Sequence, residues 1–252
     1  MFRSFIYLDT DKLFTYKRQL DGVSLDTETV EKREKLQLGA SINGIGIRKD
    51  VEKNTNGNYK ADANIVYDAF EKELIEKEGD EYFDTVLNEG DDLKTAPQMS
   101  LARIHATFYI PEQFDIYTWI EKLRPLLIKN IPTNSADERT AVNALMGEGK
   151  IDIPILIDYE DFIISGKLNA KYLLEEYANL EEYENQEVFI LCKVIGMMRQ
   201  NNVKIFDPFK DFIQMPRQFR RQLHRNKEDP SLQAIVVKDI PVLKVEFVAI
   251  YK

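Results

Sequence analysis

The residues with the most distinctive spacing are basic and lie between Pro216 and Asn226. Arg217, Arg221 and Arg225 recur every four residues, and His224 lies beside them. Because residues four apart share one face of an α-helix, a helix over this segment would present them as a single basic stripe. Such a stripe fits the phosphate backbone of a nucleic acid or an acidic protein surface. The predicted partner-binding residues are Arg217, Arg220, Arg221, His224 and Arg225.

The charge balance of the surrounding segment supports this interpretation. Between Lys193 and Lys227 there are nine Lys or Arg and two Asp, a net charge of +7, so the rest of a chain with net charge −9 carries −16. The same basic stripe could instead complement the acidic part of its own chain or form a plain solvated face.

Clustered carboxylates are the second group with possible chemistry. Asp9 and Asp11 fall where a predicted strand gives way to a helix, which is a common ligand position in α/β folds. A helix N-cap and a favourable dipole contact explain the same two residues. Asp158, Glu160 and Asp161 contain the oxygen ligands that Mg²⁺ prefers, and they also have the composition of a solvated turn. These acids support an alternative function, a divalent-metal-dependent hydrolase or nuclease.

Nucleophiles and bases are scarce. The chain has two histidines, His105 and His224, and one cysteine, Cys192, which lies in an apolar segment where a thiol usually acts as a small hydrophobic group. Lys193 is the one positive charge in that segment and is either a base with a lowered pKa or a lysine whose head reaches a carboxylate. The sequence therefore predicts no catalytic residue, no metal ligand and no cofactor, and an enzymatic function is not favoured.

The elements that must position these residues centre on residues 187–198, EVFILCKVIGMM. Both faces of this segment are apolar, which is typical of a strand in the middle of a covered sheet. Further strands are predicted at 2–8, 99–110, 151–157, 162–168, 203–206, 232–237 and 241–251. Pro154 makes 151–157 an edge strand, because proline cannot donate to the ladder. Helices are predicted at about 9–20, 62–78, 111–127, 136–146, 170–180 and 216–226.

This pattern predicts an α+β fold of two subdomains, each with a small, mostly antiparallel sheet and helices on one face. The boundary is placed at the turn that begins at Pro132. The predicted organisation is an N-terminal subdomain over 1–131, a helical connector over 132–150 and a C-terminal subdomain over 151–252.

Composition restricts the class of protein. Charged residues make up 31% of the 252 residues and the pI is about 5.0, which argues against a general nucleic-acid or membrane-surface binder but allows a local basic patch. A single cysteine forms no disulfide within the chain and is typical of the reducing cytoplasm. No signal peptide or transmembrane segment is predicted.

Three short motifs carry a resemblance. The opening Tyr7-Leu8-Asp9-x-Asp11-Lys12, the central Lys193-Val194-Ile195 and the closing Phe247-Val248-Ala249-Ile250-Tyr251 resemble an uncharacterised bacterial family known as a domain of unknown function. The resemblance implies a bacterial origin and a cytoplasmic location and carries no chemistry. The predicted function is a non-enzymatic binding or regulatory module that engages a protein or nucleic-acid partner through the basic surface or the mixed face around His105.

Overall fold

The protein was analysed as a computed structural model, which describes residues 3–21, 57–76, 82–87, 93–119, 123, 151–174, 180–212 and 234–252. The chain divides into two compact units. The first contains residues 1–9 and 78–252, and the second contains residues 10–77.

The first unit is built on a seven-stranded mixed sheet. Its strands are β1 (Phe5–Leu8), β2 (Tyr82–Asp84), β3 (Leu101–Thr107), β4 (Ile153–Tyr159), β5 (Phe162–Leu168), β6 (Glu187–Met198) and β9 (Val242–Tyr251). Six of them follow the order β2-β3-β6-β9-β5-β4, and β1 pairs with β9 beside them. The β2–β3 and β5–β9 pairs are parallel and the other pairs are antiparallel.

Strand β6 lies in the interior of the sheet, between β3 and β9, as its apolar sequence predicts. Val188, Ile190, Cys192 and Val194 form one fully buried face. The opposite face is less covered, because Phe189 and Lys193 are half-buried and Ile195 is exposed. Only one face of this strand therefore belongs entirely to the core.

Two glycines allow close approaches around the central strands. A Cβ atom on Gly166 in β5 would lie 2.6 Å from Cε2 of Phe247 and 2.7 Å from the carbonyl oxygen of Val245. Gly196 in β6 has a φ of +148°, which favours glycine, and it lies at a register shift in the β6–β9 pair.

A separate two-stranded antiparallel ribbon consists of β7 (Asn202–Phe206) and β8 (Ile235–Lys238). A π-helical turn at Pro208–Phe212 follows β7. Phe206 at the end of β7 is fully buried, and its ring lies edge-on to Phe114 with 5.2 Å between centroids. The ribbon is thus anchored to the core of the first unit by an aromatic contact.

The second unit contains two described helices, α1 (Thr10–Leu20) and α2 (Gly57–Glu76). Lys17 of α1 forms ion pairs of 2.6 Å with Asp21, which directly follows the helix, and with Glu73 of α2. Burial alone would lower the pKa of Lys17, but the hydrogen bonds to these two carboxylates outweigh burial and raise it.

The α+β class is confirmed, and β4 lies at the end of the sheet order as Pro154 predicts. One large mixed sheet and a small ribbon replace the expected pair of small, mostly antiparallel sheets. The reason is that β3 and β6, which come from opposite sides of the predicted boundary, are hydrogen-bonded neighbours over the whole length of β3. The predicted connector at 132–150 lies outside the described residues, so the domain boundaries drawn there stay a prediction.

Candidate functional site

The residues predicted to bind a partner all fall between 213 and 233, outside the described part of the chain. They are Arg217, Arg220, Arg221, His224 and Arg225, and their role stays a prediction. The described structure does show the elements that lead into this segment, namely β7 and the π-helical turn that ends at Phe212.

Four lysines meet around these elements and form what we call the lysine cluster: Lys167 on β5, Lys204 on β7, Lys210 in the π-helical turn and Lys244 on β9. A hydrogen bond from the Lys244 side chain to the backbone carbonyl of Lys204, together with the charge interactions of Lys167 and Lys210 with Lys244, joins them across elements that are far apart in sequence. Asp207 and Asp211 are the acidic members of the same neighbourhood. The six side chains therefore carry two more positive than negative charges.

Three of the four lysines have a carboxylate partner. Lys167 Nζ lies 2.7 Å from Asp211 Oδ2, and Lys210 Nζ lies 4.0 Å from the other oxygen of Asp211. Lys204 Nζ lies 3.9 Å from Asp207 Oδ2. Asp211 also accepts a hydrogen bond of 2.8 Å from the backbone N–H of Asp207, which holds its carboxylate in the cluster.

Lys244 is the exception. Its Nζ donates to Ser165 Oγ and to the carbonyl oxygen of Lys204, both at 3.4 Å. Among the described residues, no carboxylate lies within 4.0 Å of this ammonium group. Lys244 thus has neutral oxygen partners for a positive charge that is half-buried.

The pKa of Lys244 reflects this environment. Burial lowers the pKa to about 8, and the positive charge of Lys167 acts in the same direction, whereas Asp211 raises it and Lys210 lowers it further. The carboxylate of Asp211 therefore does not offset the combined effects of burial and the neighbouring lysines on this ammonium. Such sites are candidates for ligand binding or chemistry.

Ser165 is positioned by the sheet. It is fully buried, pairs with Lys244 in the parallel β5–β9 register and lies opposite Leu156 of β4 in the antiparallel β4–β5 register. Leu156 and Ile163, which follow the same face of the sheet, line a cavity of about 420 Å³. The other wall of this cavity is formed by the segments 109–113 and 235–238.

A buried ion pair lies at the β2 end of the sheet. Arg103 of β3 holds Asp84 of β2 with two contacts, Nη2 to Oδ2 at 2.7 Å and Nε to Oδ1 at 3.1 Å. The Tyr82 hydroxyl donates to Asp84 at 3.0 Å, and the backbone N–H groups of Val86 and Leu87 donate at 3.1 and 3.2 Å. Every acceptor direction of this carboxylate is occupied, which indicates a structural ion pair.

Of the nucleophiles and bases weighed in the sequence, Cys192, His105 and Lys193 lie in the described part of the chain. Cys192 is buried, and burial raises the pKa of its thiol to about 12, so it is a thiol at neutral pH. His105 stacks on Phe189 at 4.6 Å between ring centroids, and its Nε2 lies 3.9 Å from Glu187. Lys193 is half-buried and lies opposite Glu246 in the β6–β9 register.

The acidic candidates lie in different environments. Asp9 directly precedes α1, is buried and accepts a hydrogen bond of 3.3 Å from the Tyr7 hydroxyl. Asp161 is exposed at the β4–β5 turn, where a hydrogen bond from Lys94 lowers its pKa. Among the described residues, no group of three or more His, Cys, Asp or Glu side chains is arranged to hold a metal ion.

Sequence reasoning did not identify Lys244 or Ser165. The available signal was a lysine inside the otherwise apolar closing strand, in the run Val242-Leu243-Lys244-Val245. That pattern does not reveal whether a carboxylate lies nearby, because the neighbours of Lys244 come from β5 and β7.

A comparison with protein families identifies the family of this chain. The family model described as a domain of unknown function (DUF6414) matches residues 2–251, and the protein belongs to this family. Neither a curated protein nor a solved structure matches the chain. None of the helices in the described part of the chain is long and apolar enough to cross a membrane.

Proposed function

We propose that the protein is a non-enzymatic binding or regulatory module that engages a protein or nucleic-acid partner through a basic surface. We assign to this surface the lysine cluster, which the structure describes, and the stripe of Arg217, Arg221 and Arg225, which is predicted from the sequence. The observation that carries the proposal is the Lys244 ammonium, which has no carboxylate partner among the described residues and has lysines around it.

Electrostatics supports a binding role. The segment from Lys193 to Lys227 has a net charge of +7, whereas the whole chain has a net charge of −9. Positive charge is therefore concentrated in one segment of an otherwise acidic protein. Concentrated positive charge attracts phosphate groups or acidic side chains, whereas the acidic remainder of the chain repels them. The single cysteine, Cys192, supports our further proposal of a cytoplasmic setting, and the proposal of a bacterial origin rests on the family resemblance.

The test is a capture experiment with charge reversal. We expect the triple variant Arg217→Glu, Arg221→Glu and Arg225→Glu to lose partner capture from a bacterial lysate while keeping the melting temperature of the wild type. For a nucleic-acid partner, each lost phosphate contact should lower the slope of log affinity against log salt by roughly 1.

The matched control is the variant Lys32→Glu, Arg33→Glu and Lys35→Glu, which makes the same change in net charge in another charged segment. It should capture as the wild type does. Nuclease treatment separates the two partner classes, because captured material that survives it is protein. Unchanged capture by the Arg217, Arg221 and Arg225 variant would contradict the proposal.

A further inference from the structure

The lysine cluster has the composition of an oxyanion site. Lys244 Nζ and Ser165 Oγ lie 3.4 Å apart, and the Ser165 hydroxyl can accept from the ammonium and donate its own proton to a third group. Lys167, two residues beyond Ser165 on the same face of β5, contributes a second ammonium. Donors therefore converge here from two adjacent strands.

The charged groups around Lys244 leave its ammonium without a counter-ion of its own among the described residues. Lys167 and Lys210 act on it as positive charges, Asp211 acts as a negative charge, and Lys204 supplies a neutral carbonyl oxygen. Asp211 lies 2.7 Å from Lys167, so its charge is already shared. A half-buried ammonium without its own counter-ion is costly, and an anion beside it removes that cost.

The chemistry favours phosphate over a side-chain carboxylate. A phosphate group carries close to two negative charges at neutral pH and three acceptor oxygens, so it can pair with both ammonium groups and accept from a hydroxyl. Lysine binds phosphate as a point charge and does not need the planar geometry of a guanidinium–carboxylate pair. An anion at this position must also compete with Asp211 for Lys167, which a dianion does better than a monoanion.

We propose that Lys244, Ser165 and Lys167 form a binding site for a phosphate oxyanion. The inference deepens the proposed function, because it names the chemical group that the basic surface takes. The phosphate belongs either to a nucleic-acid backbone or to a small phosphorylated ligand, and the experiment distinguishes these sources.

The experiment measures the pKa of Lys244 directly by NMR. The full chain is prepared with lysine carrying ¹³C at Cε, and the Lys244 resonance is assigned by its loss in Lys244→Arg. Without phosphate we expect it to titrate near pH 8. Inorganic phosphate should raise this pKa by about 1, since a bound opposite charge favours the ammonium form. Lys72, an exposed lysine of α2, is the internal control and should not respond.

Sodium chloride at matched ionic strength separates binding from screening, because screening of Lys167 and Lys210 also raises the pKa of Lys244. A phosphate effect no larger than the chloride effect would overturn the proposal. Ser165→Ala should weaken phosphate binding roughly 10-fold through loss of a hydrogen bond to a charged group. Asp211→Asn removes the competing carboxylate and should tighten binding several-fold, and an unchanged or weaker affinity would count against the site.

A short single-stranded oligonucleotide without terminal phosphate forms the second arm. If the oligonucleotide raises the pKa of Lys244 as inorganic phosphate does, the bound phosphate belongs to a nucleic-acid backbone. If only inorganic phosphate raises this pKa, the phosphate belongs to a small phosphorylated ligand. The variant with Arg217, Arg221 and Arg225 changed to Glu distinguishes this inference from the proposed function. Loss of lysate capture with a retained phosphate response supports both, and a retained capture with a retained phosphate response supports the oxyanion site alone.

Discussion

Two cations on the same seven-stranded sheet, the buried Arg103 and the half-buried Lys244, have opposite surroundings. Arg103 shares two close contacts with Asp84, and Tyr82 together with two backbone N–H groups completes the coordination of that carboxylate. Lys244 has a serine hydroxyl and a carbonyl oxygen, each at 3.4 Å. The first group is complete without any other molecule, and it holds β2 against β3. The second lacks a counter-charge among the described residues, and it is the group that gains from a ligand.

The largest effect is expected from breaking the ion pair between Arg103 and Asp84. Asp84→Ala leaves the Arg103 guanidinium buried without a carboxylate, and we expect the free energy of unfolding to fall by about 3–5 kcal/mol. Urea denaturation measures this change. Glu182→Ala removes an exposed carboxylate and should stay within about 0.5 kcal/mol of the wild type.

The double variant Asp84→Ala with Arg103→Met sharpens the same comparison. Because it removes both charges, it should recover most of the stability lost in Asp84→Ala. A double variant as unstable as the single one would show that the loss comes from altered packing of β2 and not from the unpaired charge.

Removing the charge of Lys244 should stabilise the protein, in contrast to removing the charge of Asp84. We expect Lys244→Met to raise the melting temperature by about 2–4 °C near neutral pH in phosphate-free buffer, because it removes a half-buried charge without a counter-ion. Lys204→Met, which changes a more exposed lysine paired with Asp207, should leave the melting temperature within about 1 °C. A lower melting temperature in Lys244→Met would mean that the aliphatic stem and hydrogen bonds of Lys244 outweigh its charge.

The smallest effect is expected at Lys17 in the second unit. Lys17→Met removes ion pairs to Asp21 and Glu73, and we expect the free energy of unfolding to fall by about 0.5 kcal/mol. Differential scanning calorimetry at low and high salt tests the assignment, because added salt should shrink the difference between this variant and the wild type.

Lys244 and Lys17 should make the stability of the protein change with pH in opposite directions. The folded-state pKa of Lys244 is about 8, below the ordinary 10.5, so the unfolded chain binds more protons between these values and stability rises with pH in that window. The advantage of Lys244→Met should therefore be complete below about pH 8 and disappear towards pH 10.5. The pKa of Lys17 is raised, so its contribution is present below 10.5 and is lost as pH rises through the folded-state value. Denaturation of both variants across this range checks the two signs.

Local pattern was sufficient to predict most of the strands. The apolar run at 187–198 forms β6, and the predicted strands at 162–168 and 241–251 correspond to β5 and β9 within one residue. These assignments succeed because alternation and β-branched composition act within one strand. Strand β2 (Tyr82–Asp84) is not among the predicted strands, because these three residues have little strand signal of their own and are stabilised by pairing with β3 and by the ion pair to Arg103.

The candidate site was not predictable in the same way. Ser165, Lys244 and Lys204 come from three strands, and their meeting depends on the parallel β5–β9 pair and on the position of the ribbon after β6. The basic stripe of Arg217, Arg221 and Arg225 was visible because its members share one segment, and its role stays a prediction.

The sequence by itself determined the α+β class, the interior position of β6, the edge position of β4 and the concentration of positive charge between Lys193 and Lys227. Each of these is a property of residues close together in the chain. Only the tertiary structure decided that strands from both halves form one sheet and that Arg103 has a carboxylate partner where Lys244 has neutral oxygens. The physical reason is that burial and counter-charges come from side chains distant in sequence, and strand pairing together with the packing of the ribbon determines which of them meet.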